Sequence, residues 1–497
     1  IAHFNRGNVL FSLSRLDEAL VSYSRAIYLN KGNAEFFYNR ANVYQVLRRH
    51  QESFSDYQEA LRLNPCHVGA LFNGGNALQD LRRISQAISF YDRAISVSPN
   101  VAFIHGNRAN ALFALKRYSD ALPGYDVAID LDPNVAELYH NRGVLLRNMN
   151  RYQEAIQSLE TALRLNPEYP YLKGIIVFSR LKVCDWSVYY KDLHELIDNV
   201  RLDKKFTFSF TVLSLTESLA DHYKAAKIWT SDRHPHLKVI PDLPKYSRQD
   251  KIKIGYFSAD FHNHATAWLM AELFERHDRT RFELFAFSFG PDIQDEMRQR
   301  VSNAFDHFFD VRNKSDEDIA KLSRVWSIDI AIDLKGLTQD HRLNIFAHRA
   351  APIQVNYIGY PGTVAAPYMD YIIADHTLIP EVSRQYYSEK VVYLPGSYQV
   401  NDRHRKISDR VFTKAEVGLP ETGFVFCCFN NNYKITPDVF DIWMRILKAV
   451  PDSVLWLFED NPTAAANLRK EAAMRGVEAE RIVFAQKMEL SHHLARH

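Results

Sequence analysis

The sequence predicts an α-helical repeat region followed by an α/β region built as two Rossmann-like lobes. The first third of the chain repeats with a period of 34 residues, and from Lys251 the pattern changes to short apolar runs that alternate with helical stretches. Stacked helical hairpins produce the first pattern, and a parallel sheet covered by helices on both faces produces the second. We expect repeats at 1–170, a helical connector at 171–250, a first lobe at 251–408 and a partial second lobe at 409–497.

The composition is that of a globular chain and argues against several classes of function. The 497 residues carry a formal charge of only +2, which gives no global attraction to nucleic acid or to an anionic membrane surface. No apolar run approaches the roughly 20 residues of a membrane span. The cysteines lack metal-site spacing and suit a reducing compartment; they are Cys66, Cys184, Cys427 and Cys428. We therefore expect a cytoplasmic protein without a metal, a membrane span or a nucleic-acid partner.

The repeats carry small residues where two helices cross and a proline after the second helix. The small residues include the unbroken series Ala26, Ala60, Ala94, Ala128 and Ala162. The prolines are Pro65, Pro99, Pro133 and Pro167. This is the tetratricopeptide pattern, and it predicts five helical hairpins stacked into a superhelix.

One polar series in the repeats is not explained by apolar packing. It consists of Asn5, Asn39, Asn73, Asn107 and Asn141, one in the first helix of each repeat. A side-chain amide offers both a donor and an acceptor, so a ladder of amides suits the backbone of an extended peptide. The alternative is that each asparagine bonds the neighbouring repeat. We favour peptide binding, and both interpretations stay open at this point.

The connector shows helical stretches at Tyr171–Val183, Tyr189–Val200 and Leu213–Trp229, and no pattern that indicates chemistry. His234 and His236 lack cysteine or carboxylate partners at metal spacing. We therefore expect both histidines at the surface.

The second lobe begins with a candidate anion site. The apolar run Phe424–Phe429 predicts a buried parallel strand, which ends in the polar loop Asn430–Asn432. Thr436 and Pro437 then have the residue types of a helix N-cap and a first helical position. Lys434 stands just before this helix, where a lysine and the free N–H groups of a helix start would bind a phosphate. An ordinary loop with a solvated lysine is the alternative.

Three strand ends in the first lobe are candidate sites, because open α/β sheets bind ligands at the carboxyl ends of their strands. They are Ser258–Thr266, Asp333–Thr338 and Gly359–Thr363. In the first of them, His264 begins a helix, and the helix dipole lowers the pKa of an imidazole there. His264 is then expected to be neutral and able to accept a proton. A purely structural histidine and a mere turn at Gly359–Thr363 are the alternatives.

Together these motifs resemble the protein O-GlcNAc transferases, specifically their bacterial homologues. The resemblance rests on the asparagine ladder and on the segments DFHNHAT, IGYPGT and CCFNNNYKI, and it covers essentially the whole chain. It implies a GT-B fold with UDP-N-acetylglucosamine as donor, a Ser or Thr hydroxyl of a protein as acceptor, and inversion at the anomeric carbon. It implies no metal and no other cofactor. The expected partners are acceptor polypeptides in the repeat groove, and formation of a homo-oligomer is left open.

The resemblance also implies roles for individual residues. His264 matches the active-site histidine of the family, and Lys434 matches the lysine that stabilises the UDP leaving group. Asn431 falls where the family places a nucleotide-contacting glutamine, and His493 and Arg496 match a pair that contacts UDP.

By the same resemblance, Gly359 and Pro361 line the sugar pocket, and the asparagine ladder guides the acceptor. Leu490 departs from the animal enzymes, which carry a lysine near the uridine. The family segment that follows position 497 holds a His-Thr-Thr turn and an Asp for the diphosphate and ribose. We therefore expect this chain to be a weak or inactive enzyme with exposed apolar surface on its second lobe.

Two rival interpretations come from different classes. The first is a Spindly-type protein O-fucosyltransferase that uses GDP-fucose, and His264 argues against it. The second is a repeat scaffold with a catalytically dead α/β module, and the presence of both His264 and Lys434 argues against that one.

Overall fold

The computed structural model describes residues 1–236 and 250–496. The chain forms two compact units, Ile1–Tyr169 and Pro170–His497. None of the described helices is long and apolar enough to cross a membrane.

The first unit, all of whose residues are described, consists of five antiparallel helix pairs. The helices are α1 (Ala2–Ser12), α2 (Leu16–Leu29), α3 (Ala34–Val46), α4 (His50–Leu63), α5 (Val68–Asp80), α6 (Ile84–Val97), α7 (Ala102–Ala114), α8 (Tyr118–Leu131), α9 (Ala136–Asn148) and α10 (Tyr152–Leu165). Glycine allows the helices of a pair to pack closely: a Cβ on Gly75 would lie 2.6 Å from a ring carbon of Tyr91. The expected five hairpins are confirmed.

The connector forms four helices at the start of the second unit. They are α11 (Leu172–Lys182), α12 (Tyr189–Arg201), α13 (Ser209–Leu213) and α14 (Leu219–Arg233). The prediction of one helix over Leu213–Trp229 was wrong, because the chain leaves the helix after Leu213 and Ser218 caps a new one by accepting a hydrogen bond from the Asp221 N–H at 3.3 Å.

The surface position predicted for His234 was also wrong. His234 is half-buried, with Nδ1 2.9 Å from Asn344 Oδ1 and Nε2 3.0 Å from His341 Nε2. His236 is exposed, as expected.

The first lobe is a seven-stranded parallel sheet among the described residues, with the order β3-β2-β1-β4-β5-β6-β7. The strands are β1 (Ile252–Ser258), β2 (Phe282–Ser288), β3 (His307–Asp310), β4 (Ile330–Asp333), β5 (Ile353–Asn356), β6 (Tyr371–Ala374) and β7 (Lys390–Tyr393). Its helices are α15 (Ala265–Arg276), α16 (Glu296–Asn303), α17 (Asp316–Val325) and α18 (Asn344–Ala347). Sequence patterns missed β3 and β7, which are the two half-exposed edge strands.

The second lobe holds a three-stranded parallel sheet, with the order β10-β9-β8 in the described part of the chain. The strands are β8 (Val425–Cys428), β9 (Val454–Phe458) and β10 (Ile482–Ala485), and the helices are α19 (Pro437–Ala449), α20 (Pro462–Met474) and α21 (Leu490–Ala495). The prediction that Phe424–Phe429 is buried was wrong. β8 lies at the edge of this sheet, and Phe424, beside it, is 60% exposed.

Candidate active site

The carboxyl ends of β1, β4 and β5 carry the candidate site of the first lobe. β4 pairs with both β1 and β5, so the loops that follow these three strands emerge side by side. Gly359 lies so close to the Leu334 carbonyl that a Cβ there would overlap it, and Gly336 has a φ of +53° with its Cβ direction blocked by Tyr360. Both turns therefore require glycine, and they pack directly on each other.

His264 is the N-cap of α15. Its Nδ1 accepts a hydrogen bond from the Thr266 N–H at 3.2 Å, and its side chain is 42% exposed. Burial lowers the pKa of His264, so the imidazole is neutral at pH 7. The Thr266 N–H requires a lone pair on Nδ1, whereas the Asp260 carboxylate, 3.5 Å from the same nitrogen, favours a proton there. The role of His264 as a proton acceptor stays a prediction.

A buried ion pair lies beneath His264. Lys335 Nζ is 2.7 Å from Asp260 Oδ2, and the two residues are only 5% and 7% exposed. Asp333 accepts hydrogen bonds from the N–H groups of Lys335 and Gly336, and burial raises its pKa to about 7. Sequence reasoning marked both strand ends but gave Asp260 and Lys335 no role. The available signal was a charged residue within two positions after each of two buried strands.

The turn at Gly359–Thr363 is held by Glu389 and Tyr387. The buried Glu389 carboxylate accepts from Thr363 Oγ1 at 2.6 Å and from the Val364 N–H at 2.8 Å, and burial raises its pKa. Tyr387 Oη donates to the Pro361 carbonyl at 3.3 Å. The turn is therefore a fixed part of the site.

The second lobe places Lys434 on a single 3₁₀ turn, Asn432–Lys434, between β8 and α19. Lys434 and Asn431 are both exposed, and within the described residues the Lys434 ammonium has no hydrogen bond or ion pair. The Thr436 cap is confirmed, since its Oγ1 accepts from the Val439 N–H at 3.4 Å.

The start of α19 is less suited to bind an anion than the sequence suggested. Pro437 has no N–H, and the Val439 N–H is already bonded to Thr436. The carboxylate of Asp438 lies in the first turn, where it accepts from Tyr190 Oη at 2.7 Å. Lys434 is an exposed cation beside this partly blocked helix start.

His493 and Arg496 lie together against the end of β8. Arg496 Nη2 is 2.7 Å from His493 Nδ1, and Nη1 donates to the Gln486 carbonyl at 2.7 Å. The guanidinium lies 5.0 Å from the centre of the Phe429 ring, and His493 stacks on the same ring. Arg496 is 7% exposed, and burial lowers its pKa. This pair thus orients the strand end that leads to Asn431.

The described contacts form two separate groups. His264, Lys335 and the Gly359 turn belong to the first lobe, and Asn431, Lys434, His493 and Arg496 belong to the second. Within the described residues, no cluster of three His, Cys, Asp or Glu residues is arranged to hold a metal.

The asparagine ladder bonds between repeats at three of its five members. Asn73, Asn107 and Asn141 donate at 3.0–3.2 Å to a second asparagine series, Asn42, Asn76 and Asn110. The same acceptor oxygens take hydrogen bonds from the buried tyrosines Tyr57, Tyr91 and Tyr125. Asn39 instead donates to the Glu35 carbonyl of its own helix, and Asn5 is exposed. Sequence reasoning missed the second series, although it has the same 34-residue spacing.

Comparisons with known proteins agree with this architecture. Residues 183–416 and 407–497 match glycosyl transferase family 41, and residues 7–47, 34–66, 72–136 and 136–169 match tetratricopeptide repeats. The chain therefore belongs to glycosyl transferase family 41, with tetratricopeptide repeats ahead of the transferase region, and the resemblance stated from the sequence is confirmed.

Several relatives carry a transferase name. The probable UDP-N-acetylglucosamine–peptide N-acetylglucosaminyltransferase SEC of Arabidopsis thaliana is 39% identical over 251 residues, which are 50% of this chain and 26% of that protein. The UDP-N-acetylglucosamine–peptide N-acetylglucosaminyltransferase of Caenorhabditis elegans is 26% identical over 446 residues, covering 63% of this chain and 38% of that protein. The probable UDP-N-acetylglucosamine–peptide N-acetylglucosaminyltransferase SPINDLY of Arabidopsis thaliana is 33% identical over 223 residues. The match covers 43% of this chain and 24% of that protein. The chain thus spans well under half the length of these relatives.

A solved structure supports the predicted fold class. A mutant of the Thermobaculum terrenum O-GlcNAc transferase superposes with a TM-score of 0.58 at 24% identity, covering 85% of this chain and 75% of that one. Helical repeats followed by two parallel-sheet lobes of this type are therefore confirmed as the fold.

Proposed function

We propose that the protein is an inverting glycosyltransferase that moves N-acetylglucosamine from UDP-N-acetylglucosamine to Ser or Thr hydroxyls of polypeptides. Membership of family 41 and the names of its relatives support this assignment. The observation that carries it is Lys434, an exposed lysine without a protein partner in the described structure, on the turn before α19. An ammonium left unpaired beside a strand end is suited to bind a diphosphate.

Lys434 would stabilise the leaving group. Charge develops on the diphosphate as the sugar bond breaks, and a cation already in position stabilises that charge without reorganisation. Asn431, His493 and Arg496 would form the rest of the nucleotide site, with Arg496 acting through the Phe429 strand end that it contacts. The proposed reaction uses no metal and no cofactor besides the UDP-sugar.

The first lobe would hold the sugar and the acceptor. The fixed turn at Gly359 and Pro361 would line the sugar pocket, and His264 would donate from Nε2 to an oxygen of the bound substrates. The half-exposed amides of the repeats would bind the acceptor backbone through their oxygens, since three of the amide nitrogens already bond the preceding repeat. We also propose a cytoplasmic location, because all four cysteines are free thiols.

A transfer assay tests the proposal. The protein is incubated with an unstructured Ser/Thr-rich peptide and either UDP-N-acetylglucosamine or GDP-fucose, and the peptide is analysed by mass spectrometry. Addition of N-acetylhexosamine, lost in Lys434→Met, supports the proposal. Transfer of fucose instead, or N-acetylhexosamine transfer that Lys434→Met leaves unchanged, contradicts it.

A further inference from the structure

Lys335, Asp260 and His264 form a connected group under the first-lobe site. Lys335 Nζ lies 2.7 Å from Asp260 Oδ2, and that same oxygen lies 3.5 Å from His264 Nδ1. The side chains of Lys335 and Asp260 are only 6% and 9% exposed, so water does not screen this pair. One carboxylate oxygen therefore faces both a lysine and a histidine.

His264 Nδ1 has two neighbours that require opposite protonation states. The Thr266 N–H at 3.2 Å needs a lone pair on Nδ1, whereas the Asp260 carboxylate at 3.5 Å needs a proton there. A neutral imidazole carries one proton, so it satisfies only one of them. The choice also fixes the state of Nε2, which is a donor in the first case and an acceptor in the second.

We propose that Lys335 is a positioning residue that selects the Nε2–H tautomer of His264. By binding Asp260 Oδ2, Lys335 occupies the acceptor that would otherwise draw a proton onto Nδ1. Nδ1 then keeps its lone pair for the Thr266 N–H, and Nε2–H points away from the helix as a hydrogen-bond donor. The use of this donor on a sugar substrate rests on the proposed function, whereas the tautomer itself does not.

The charges around His264 act in the direction that this selection requires. Burial lowers the pKa of His264 most, Lys335 and His262 lower it further, and Asp260 and Asp340 raise it. Loss of the Lys335 ammonium removes one positive charge that lowers the pKa of His264, and it leaves the Asp260 carboxylate without its cation. The proton then moves to Nδ1, either in the other neutral tautomer or in the imidazolium, and α15 loses its cap.

Long-range proton–nitrogen NMR of the ¹⁵N-histidine-labelled chain tests the proposal without nucleotide or peptide. The His264 signals are identified by their loss in His264→Gln. The wild type is expected to show a protonated Nε2 and an unprotonated Nδ1. Lys335→Met is expected to protonate Nδ1 at neutral pH, and the double variant Lys335→Met with Asp260→Asn is expected to restore the wild-type pattern.

Two variants serve as controls. Lys335→Arg keeps the cation and is expected to keep the wild-type pattern. Lys253→Met removes another partly buried lysine, paired with Glu283 at the opposite end of β1, and leaves His264 unchanged.

Two results would overturn the proposal. One is a Lys335→Met spectrum that retains the wild-type pattern, and the other is a wild type that already carries its proton on Nδ1. The second result needs only the wild-type spectrum, so this test does not depend on whether Lys335→Met folds. Because the readout is spectroscopic, a failed transfer assay leaves this test intact.

Discussion

The ring of Phe178 packs against the ring of Tyr433, with centroids 5.1 Å apart. Phe178 belongs to α11 of the connector, and Tyr433 is the residue before Lys434. Asn461, which caps α20, also donates to the Lys182 carbonyl at 3.0 Å. The connector, to which the sequence assigned no chemistry, therefore supports the turn that carries the proposed phosphate lysine.

Phe178→Ala is expected to destabilise the second unit and to weaken nucleotide binding. Phe178 is 8% exposed, and removal of a buried Phe side chain typically costs about 3–5 kcal/mol in the free energy of unfolding. Denaturant unfolding measures this cost, and UDP titration measures the effect on the turn. The control is Phe103→Ala. Phe103 lies in a helix of the repeats and is 56% exposed, so this variant is expected to change neither quantity much. Full UDP affinity in a destabilised Phe178→Ala protein would show that the turn does not depend on the connector.

Lys434→Met is expected to slow transfer without destabilising the fold. Removal of one preorganised group that stabilises developing charge lowers kcat by about 100- to 1000-fold. The exposed position of Lys434 predicts an unchanged midpoint of thermal unfolding. Lys448→Met, at the other end of α19, is the matched control and is expected to keep wild-type kinetics. Equal rates for both variants would remove Lys434 from the mechanism.

The two roles of the asparagine ladder are separable. Asn107 bonds Asn76 of the preceding repeat, so Asn107→Ala is expected to cost about 1 kcal/mol in unfolding free energy. Asn39 bonds only its own helix carbonyl in the described contacts, so Asn39→Ala is expected to cost less. If the ladder binds peptide, both variants weaken binding of a fluorescent Ser/Thr-rich peptide, measured by anisotropy. Weaker binding only in Asn107→Ala would indicate a purely structural ladder.

The His341–His234 contact contributes to the free energy of unfolding in a way that depends on pH. Burial lowers the pKa of His341 from 6.5 to about 4 and also lowers the pKa of His234. At this site the unfolded chain binds more protons between these values, so the contribution of His341 to the free energy of unfolding decreases as the pH falls through this range. The raised pKa of the buried Asp333 carboxyl acts in the opposite direction, so the His341 contribution has to be measured as a difference between variants. His341 alone contributes about 2 kcal/mol between about pH 7 and about pH 5.

Denaturant unfolding at the two pH values measures this dependence. The difference in unfolding free energy between the wild type and His341→Asn is expected to change by about 2 kcal/mol between the two pH values, whereas the difference for His236→Asn, at an exposed position, is expected not to change. The same slope in His341→Asn as in the wild type would assign the acid sensitivity to other groups.

Periodicity was enough to predict the repeats, because every helix pair obeys the same packing at the same spacing. Strand alternation located the main strands of the first lobe, but it missed β3 and β7, whose edge positions give them mixed exposure. Phe424–Phe429 has the composition of a buried strand, yet its place in the sheet decides its burial.

The Lys335–Asp260 pair was not predictable for a topological reason. The two residues are 75 positions apart, and they meet because β1 pairs with β4 rather than with β2 alone. A hydrophobic pattern does not specify strand order. Lys434, in contrast, lies next to a helix start that the local sequence defines, so its position could be predicted without the fold.

Calorimetric titration of UDP and of GDP into the protein and its Lys434→Met variant tests the central proposal most directly. We expect UDP to bind the wild type more tightly than GDP and to lose most of its affinity in Lys434→Met. Tighter binding of GDP, or UDP binding that does not depend on Lys434, would contradict the assignment of this site to a UDP-sugar.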